Sequence, residues 1–342
     1  MPAVSDFLAR LRLELPVVQA ALGGANSNAE LAASVAEAGG LGGVGMRSPR
    51  GLTEQLKRAR ALAPRGRLAG GLLLRQTRRA HVDALIAGQP DAVILMDGFA
   101  PDVVRRLRDA SIYVIHQVGS RADAERALRD GADALIAQGV ESGGHVLGAE
   151  RGTALLPQVL EVAQGKPVLL AGGIVDRQDV QRALERGAAA AVAGSRYLLT
   201  HESTAHAAYK QRILGAGRTI LTQLFGLGWA LKHRVVPNAA TARWCDAEGR
   251  IPPWLDEVQR RTEPVIAPFA FLRDEYPVRK GTAVPLFSPA SLIHGQPEAG
   301  VETTALYAGE SVARIHAIEH AYDITRRLGG RSDSRTAASG GE

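Results

Sequence analysis

Between residues 17 and 199, short and predominantly apolar runs alternate with longer stretches in which apolar and charged positions mix. The apolar runs fall at 17–20, 41–45, 68–74, 92–95, 112–116, 134–138, 167–170 and 190–193. Their apolar residues are consecutive rather than every second one, the pattern of parallel strands covered on both faces. The stretches between them carry helix start and stop signals. Ser27-Asn28-Ala29-Glu30 has the form of a capping box and Gly39-Gly40 closes that segment; Ser120 with Asp123 and Asp176 with Asp179 open two more, closed by Gly131 and Gly187. Strands alternating with helices predict a parallel α/β fold. Eight such units predict a closed TIM-type (β/α)8 barrel rather than its competitor, an open doubly wound sheet.

After Thr200 the pattern changes. Residues 205–216 have helical spacing, followed by scattered aromatics (Phe225, Trp229, Trp244, Trp254) and a proline-rich stretch from Pro252 to Pro297. The resulting division is a barrel core over 1–204, an irregular cap over the barrel mouth at 205–307, a C-terminal helix at 308–328 and a disordered Gly/Ser-rich tail at 329–342. On the helix, Ser311, Ile315, Ile318, Ala321 and Tyr322 share one face, which packs back on the barrel and offers a surface for a homo-oligomer.

With 46% hydrophobic residues the chain of 342 can bury a full core. The first residues mix Arg and Glu into apolar positions, unlike a signal peptide, and no run is long enough to span a bilayer, so a soluble cytoplasmic protein is expected. The net charge of +6 is spread along helices and aromatics make up only 4%, which argues against nucleic-acid binding and for a mild attraction to anionic ligands. One cysteine, Cys245, excludes an internal disulfide framework and a cysteine-based metal site.

Barrel active sites lie at the C-terminal ends of the strands. That rule selects three loops: Gln138 to Gly148, Ala171-Gly172-Gly173-Ile174, and Ala193-Gly194-Ser195. The last two follow strands seven and eight, where backbone N–H groups commonly receive a phosphate and a Cβ would block its approach. In the first, His145 follows Gly143-Gly144 directly and is the candidate proton-transfer group. Gln138 can donate and accept hydrogen bonds, which suits the edge of a heteroaromatic ring. His116 ends strand five and is read equally well as structural, and Glu141 reads as a solvated loop residue. The remaining histidines show no metal-ligand spacing, and His316 and His320 read as surface groups, so no metal is expected.

The segment Gln138-Gly139-Val140-Glu141-Ser142-Gly143-Gly144-His145 resembles a signature of the nitronate monooxygenase (2-nitropropane dioxygenase-like) family, with Ser142 in place of Ala. Pro16 to Ala20 with Ala38 to Gly42, the two glycine loops, and Tyr307 to Ser311 are similar to further motifs of that family, and the resemblance runs from about Phe7 to Leu328. It implies an FMN-dependent (β/α)8 barrel. Ala20, Ala21 and Leu22 would line the flavin ring and Gln138 would hydrogen-bond it. Gly143 and Gly144 would pass close to it. Gly172, Gly173, Ala193, Gly194 and Ser195 would hold the phosphate. His145 would face the substrate and take a proton from the carbon beside a nitro group, or hold a nitronate anion if protonated. The chain departs from the family at Ala21-Leu22, where Pro-Met is usual, at Leu72 or Leu73, where a third-strand Asn normally contacts FMN, and at Glu310, where Gln is usual. Gln76 is placed to substitute for the Asn.

The expected activity is oxidation of alkyl nitronates with dioxygen. The alternatives are an FMN-dependent NAD(P)H quinone or enoyl-thioester reductase and, from another class, a flavin-free phosphate-binding barrel or a degenerate barrel without turnover. A Schiff-base enzyme is disfavoured because none of Lys57, Lys166, Lys210, Lys232 and Lys280 ends a predicted strand; Lys166 precedes one.

Overall fold

The computed structural model describes residues 2–23, 26–269 and 281–331. Eight parallel strands close into a barrel. They are β1 (Val17–Gln19), β2 (Leu41–Val44), β3 (Arg67–Leu73), β4 (Ala92–Met96), β5 (Tyr113–Val118), β6 (Ala134–Gln138), β8 (Val168–Ala171) and β9 (Ala190–Ala193), while β7 (Gly144–His145) stands outside it. Closure comes from β1 against β9, where Val17, Val18 and Gln19 pair with Ala191, Val192 and Ala193. All eight predicted runs are barrel strands, with ends moved by a residue or two.

Side chains fill the barrel interior, where Ala69, Ala92, Ala134 and Ala190 pack with Val18, Leu41, Ile94, Ile115 and Ile136. Phe7, Leu11 and Leu13, from the N-terminal helix Pro2–Leu11 and the residues just after it, join the same core. Two further cores lie between strands and helices, one built around Leu135, Leu155, Val159 and Val180, the other around Leu52, Leu56, Leu85 and Leu95. The helices start where the capping residues predict. Ser120 accepts from Asp123 N at 3.1 Å, and Asp176 accepts from Asp179 N at 2.9 Å while Asp179 returns the bond. At the first helix the cap is Asn28 rather than Ser27; Ser27 instead bonds Gln19 Nε2 and Leu22 N, tying the loop after β1.

The last barrel helix is not where its position in the chain suggests. The segment after β9 forms only the four-residue helix Ser195–Leu198. Ala321–Leu328 takes the vacant place, packing Ala321, Ile324 and Leu328 into the barrel's outer core, with Tyr197 Oη 2.8 Å from Thr325 Oγ1. The predicted helix over 308–328 is therefore corrected to a 3-10 turn at Glu310–Arg314, an extended link and that short helix. The link is extended because its carbonyls are used elsewhere: Ala317 O accepts from Arg196 and Glu319 O from His201 N. Of the predicted disordered tail, 332–342 lies outside the described residues.

Residues 205–307 form helices Ala207–Leu214, Ala239–Trp244 and Pro253–Ile266, 3-10 turns, and two strands, β10 (Ile220–Thr222) and β11 (His233–Val235). β11 pairs antiparallel with β10 on one side and with β7 on the other. The chain beyond the barrel thereby reaches back to hold the loop that carries His145. Among the described residues no helix is long and apolar enough to cross a membrane.

Candidate active site

The C-terminal ends of the barrel strands open on one cavity. Its floor and walls include Ala20, Ala21 and Leu22 after β1, Gln76 after β3, Gln117 of β5, Gln138 of β6, Gly172 and Gly173 after β8, and Gly194 and Ser195 after β9. Tyr209, Leu227, Trp229, Pro289, Ala290 and Tyr307 from beyond the barrel complete it.

The loop that carries His145 is held at several points. Gln138 Nε2 donates to His145 O at 2.9 Å and its Oε1 accepts from Leu147 N at 3.1 Å. The Glu141 carboxylate accepts from Gly152 N at 3.0 and 3.2 Å. Gly144 takes φ +80°, a conformation that side chains rarely adopt, and β7 then pairs His145 with His233. Gln138 thus holds His145 through one N–H and one lone pair, and keeps a second of each at the cavity wall. One sequence-based expectation changes here. Glu141 is only 7% exposed and braces the loop from within rather than facing solvent.

His145 is 7% exposed, and its ring lies face to face with the Trp229 indole, centroids 3.6 Å apart and planes 17° from parallel. His233 and Tyr307 flank it at 5.0 and 5.4 Å. The Trp229 Nε1–H donates to Asp97 Oδ2 at 2.8 Å, and Asp97, just past β4, pairs with Arg75 at 3.4 Å. Burial, with a smaller contribution from His233, holds the His145 imidazolium well below its ordinary range. The ring is therefore neutral near neutral pH, the form that accepts a proton.

His233 is neutral for the same main reason. Burial pushes its pKa down to about 4, against the Leu231 carbonyl, which raises it. Its Nε2 accepts from Phe225 N at 3.2 Å while Nδ1 lies 3.0 Å from Leu231 O, which assigns the proton to Nδ1. A pKa lowered by folding means that the unfolded chain binds the proton first, so stability is complete above the ordinary value of 6.5 and is lost as pH falls toward 4. The expected loss from this residue is on the order of 3 kcal/mol. Urea unfolding at about pH 7.5 and about pH 4 checks it: His233→Gln, which keeps an acceptor for Phe225 N, should flatten much of the decline. An unchanged decline in the variant assigns the pH dependence elsewhere.

Of the residues singled out from the sequence, Ala20, Ala21, Leu22, Gln138, Gly143, Gly144, His145, Gly172, Gly173, Gly194 and Ser195 all line the cavity. Ala193 does not: it is a barrel-strand residue paired with Gln19, and its carbonyl accepts from Ala20 N at 2.9 Å. His116 packs against the Phe99 ring with Nε2 3.1 Å from Gly98 O, a structural position, while its neighbour Gln117 lines the cavity. Glu310 lies in an ion cluster with Arg151 and Arg234. Sequence reasoning assigned no site role to Trp229, Asp97, His233, Asn26 or Tyr307. The aromatics were visible, but nothing local shows which of them returns to the barrel mouth.

Four buried polar atoms of the lining residues have no hydrogen-bond partner among the described residues: Asn26 Oδ1, Gln76 Oε1, Ser142 Oγ and His145 Nε2. Each such group costs about 1–3 kcal/mol when left unpaired, so their convergence on one cavity fits a polar ligand. At Gly144 and Gly173 an added Cβ would meet nothing within 4 Å, and at Gly194 nothing closer than 3.8 Å, which leaves open space along both glycine loops. No Asp, Glu, Lys or Arg is among the described residues that line the cavity.

The nitronate monooxygenase family profile matches residues 73–265. The chain is 30% identical over 327 residues to a (3aS,4S,5R,7aS)-5-hydroxy-7a-methyl-1-oxo-octahydro-1H-indene-4-carboxyl-CoA dehydrogenase of Mycobacterium tuberculosis, covering 87% of this chain and 88% of that protein. It is 33% identical over 266 residues to a nitronate monooxygenase of Pseudomonas aeruginosa, covering 63% of this chain and 76% of that one. A crystal structure of nitroalkane oxidase from Streptomyces ansochromogenes superposes with a TM-score of 0.72 at 26% identity, covering 98% of this chain and all of the other. Barrel, cavity and matched residues agree: the chain belongs to the nitronate monooxygenase family and is a flavin-dependent oxidoreductase acting on a small molecule.

Proposed function

We propose that the protein binds FMN in this cavity and oxidises nitroalkane-derived nitronates with dioxygen, with His145 as the base that takes a proton from the carbon beside the nitro group. The observation that carries this reading is the neutral, buried His145 held by its loop on a cavity whose unpaired polar atoms await a ligand. The residues fit FMN. Backbone at Gly173 and Gly194 is free of side chains where a phosphate would approach, while Gly172 lies against Glu141 and Ser142, and Ser195 Oγ accepts from Gly309 N at 2.9 Å, leaving its O–H to donate. Backbone at Ala20 to Leu22 supplies the surface beside the ring. When bound, FMN supplies an electron acceptor that dioxygen can reoxidise.

The protein's own contribution is placement and proton transfer. Burial of the ring against Trp229 keeps the His145 imidazole unprotonated. The β7–β11 pairing and the Gln138 amide set where the ring points. With no charged side chain among the described lining residues, the site suits a substrate that arrives neutral. The same uncharged cavity supports a second reading, a dehydrogenase or reductase of a carbonyl-activated thioester. The similarity to the CoA dehydrogenase over 87% of the chain favours it as the alternative.

A visible absorption spectrum of the purified protein, followed by anaerobic addition of a nitroalkane or nitronate and separately of NADH, tests the proposal. A flavin spectrum bleached by the nitro compound is the expected result. Bleaching by NADH alone would replace the proposal with the reductase reading, and failure to bind added FMN would overturn both.

A further inference from the structure

Gln76 is the last residue of the 3-10 turn Leu74–Gln76 that follows β3. The turn is fixed without help from its side chain: Arg75 N donates to Asp97 O at 2.9 Å, Thr77 N to Leu74 O at 3.2 Å, and Thr77 Oγ1 to Leu73 O at 2.8 Å. Gln76 itself is 5% exposed and lines the cavity beside the apolar Met46, Leu72, Leu73 and Met96. Its Oε1 has no hydrogen-bond partner, and its Nε2 donates to no described residue. Of the other side-chain amides around the cavity, Gln138 is paired at both ends and Asn26 gives its Nδ2 to Gly23 O and Ser291 Oγ. Gln117 also lines the cavity without a side-chain bond to a described residue, but it is only half-buried, whereas Gln76 Oε1 is a buried atom with no partner. Gln76 thus offers a donor with no partner beside a buried acceptor with none, and leaving the buried acceptor unpaired is costly.

We propose that Gln76 reads the imide edge of the flavin's pyrimidine ring, accepting from its N3–H and donating to an adjacent carbonyl. This rests on the FMN reading above. A ligand that satisfies both halves of the amide has to present an acceptor and a donor side by side, the logic by which Asn and Gln bind the edge of adenine. The isoalloxazine has one edge of that kind, an N–H between two carbonyls. β3 itself provides nothing equivalent, because Leu72 and Leu73 are apolar where they reach the cavity. The polar contact is therefore supplied from the turn one step beyond the strand. Gln76 is a positioning residue in this role and takes no part in proton transfer.

The test compares binding of FMN and of 3-methyl-FMN, which lacks the N3–H, to the flavin-free protein by quenching of flavin fluorescence. The wild type should prefer FMN by about tenfold, one buried hydrogen bond converted to affinity. Gln76→Leu should bind both forms alike, about tenfold more weakly than the wild type binds FMN. Its flavin-free form should unfold no earlier than the wild type, because the substitution removes an unpaired amide; a structural role would lower that midpoint instead. A preference that persists in Gln76→Leu, or no preference in the wild type, overturns the proposal and leaves the FMN reading intact. Binding of neither form overturns the FMN reading and this proposal with it. If Gln76→Leu does not fold, the wild-type preference alone decides.

Discussion

Replacing His145 with asparagine is expected to lower turnover of a neutral nitroalkane by about 10²–10⁴-fold while leaving turnover of a preformed nitronate within about tenfold of the wild type. The asymmetry follows from the chemistry. A neutral nitroalkane has to lose a proton before it can give up electrons, and asparagine cannot take that proton. A nitronate has already lost it. The backbone pairing of residue 145 with His233 and its carbonyl bond from Gln138 do not depend on the imidazole, so the loop should survive the change. Single-turnover bleaching of the flavin under anaerobic conditions reads the step without interference from reoxidation. Equal loss on both substrates would make His145 a binding group, and no loss on either would remove it from the reaction. The pH profile gives a second check. Burial keeps the His145 pKa well below the ordinary 6.5, so the base form persists through neutral pH. Activity on the neutral substrate should fall only as the pH drops through that lowered value, and a decline centred at 6.5 or above would contradict the buried geometry.

Gly194→Val is expected to leave a folded protein that loses FMN, its affinity falling by more than about 100-fold. An added Cβ at this position would sit 3.8 Å from Leu22 Cδ2 and 3.9 Å from Ala20 Cβ, ordinary contact distances, and the residue's φ of −112° is open to valine. The fold should therefore tolerate the side chain. The space that the valine occupies is the open backbone beside Ser195, where the proposed phosphate would approach. Gly173 makes a poorer test, because its φ of +76° would mix backbone strain with occlusion. Purification of the variant as a colourless protein with a near wild-type melting temperature is the expected result. A normal yellow yield would place the phosphate elsewhere, and loss of the folded state would show that the glycine serves packing.

The barrel was legible because parallel strands covered on both faces leave a mark in the sequence, a short apolar run between turn residues. Each of the eight runs carried that mark, and the helix caps at Ser120 and Asp176 followed from residues three positions apart. The C-terminal region was read wrongly for a related reason. Ile315 and Ala321 keep helical spacing, but Ile315 packs into a core beyond the barrel and Ala321 into the barrel's outer core. Two separate destinations imitated one helical face, and the bonds from Arg196 and His201 to the link between them override helix formation. Ser27 and Glu141 were misjudged because no spacing rule marks their partners, Gln19 eight residues back in β1 and Gly152 eleven residues on at a helix start.

By itself, then, the sequence determined the alternation of strands and helices, the two glycine loops at strand ends, and a histidine on a glycine hinge, since periodicity and turn chemistry depend on near neighbours along the chain. The tertiary structure decided that the histidine is neutral, that Trp229 covers its face, that Asp97 anchors the indole from 132 residues away, and that Gln138 holds the loop while Gln76 faces the cavity unpaired. Burial and hydrogen-bond satisfaction belong to groups brought together through space, and no local pattern records which distant residue will arrive.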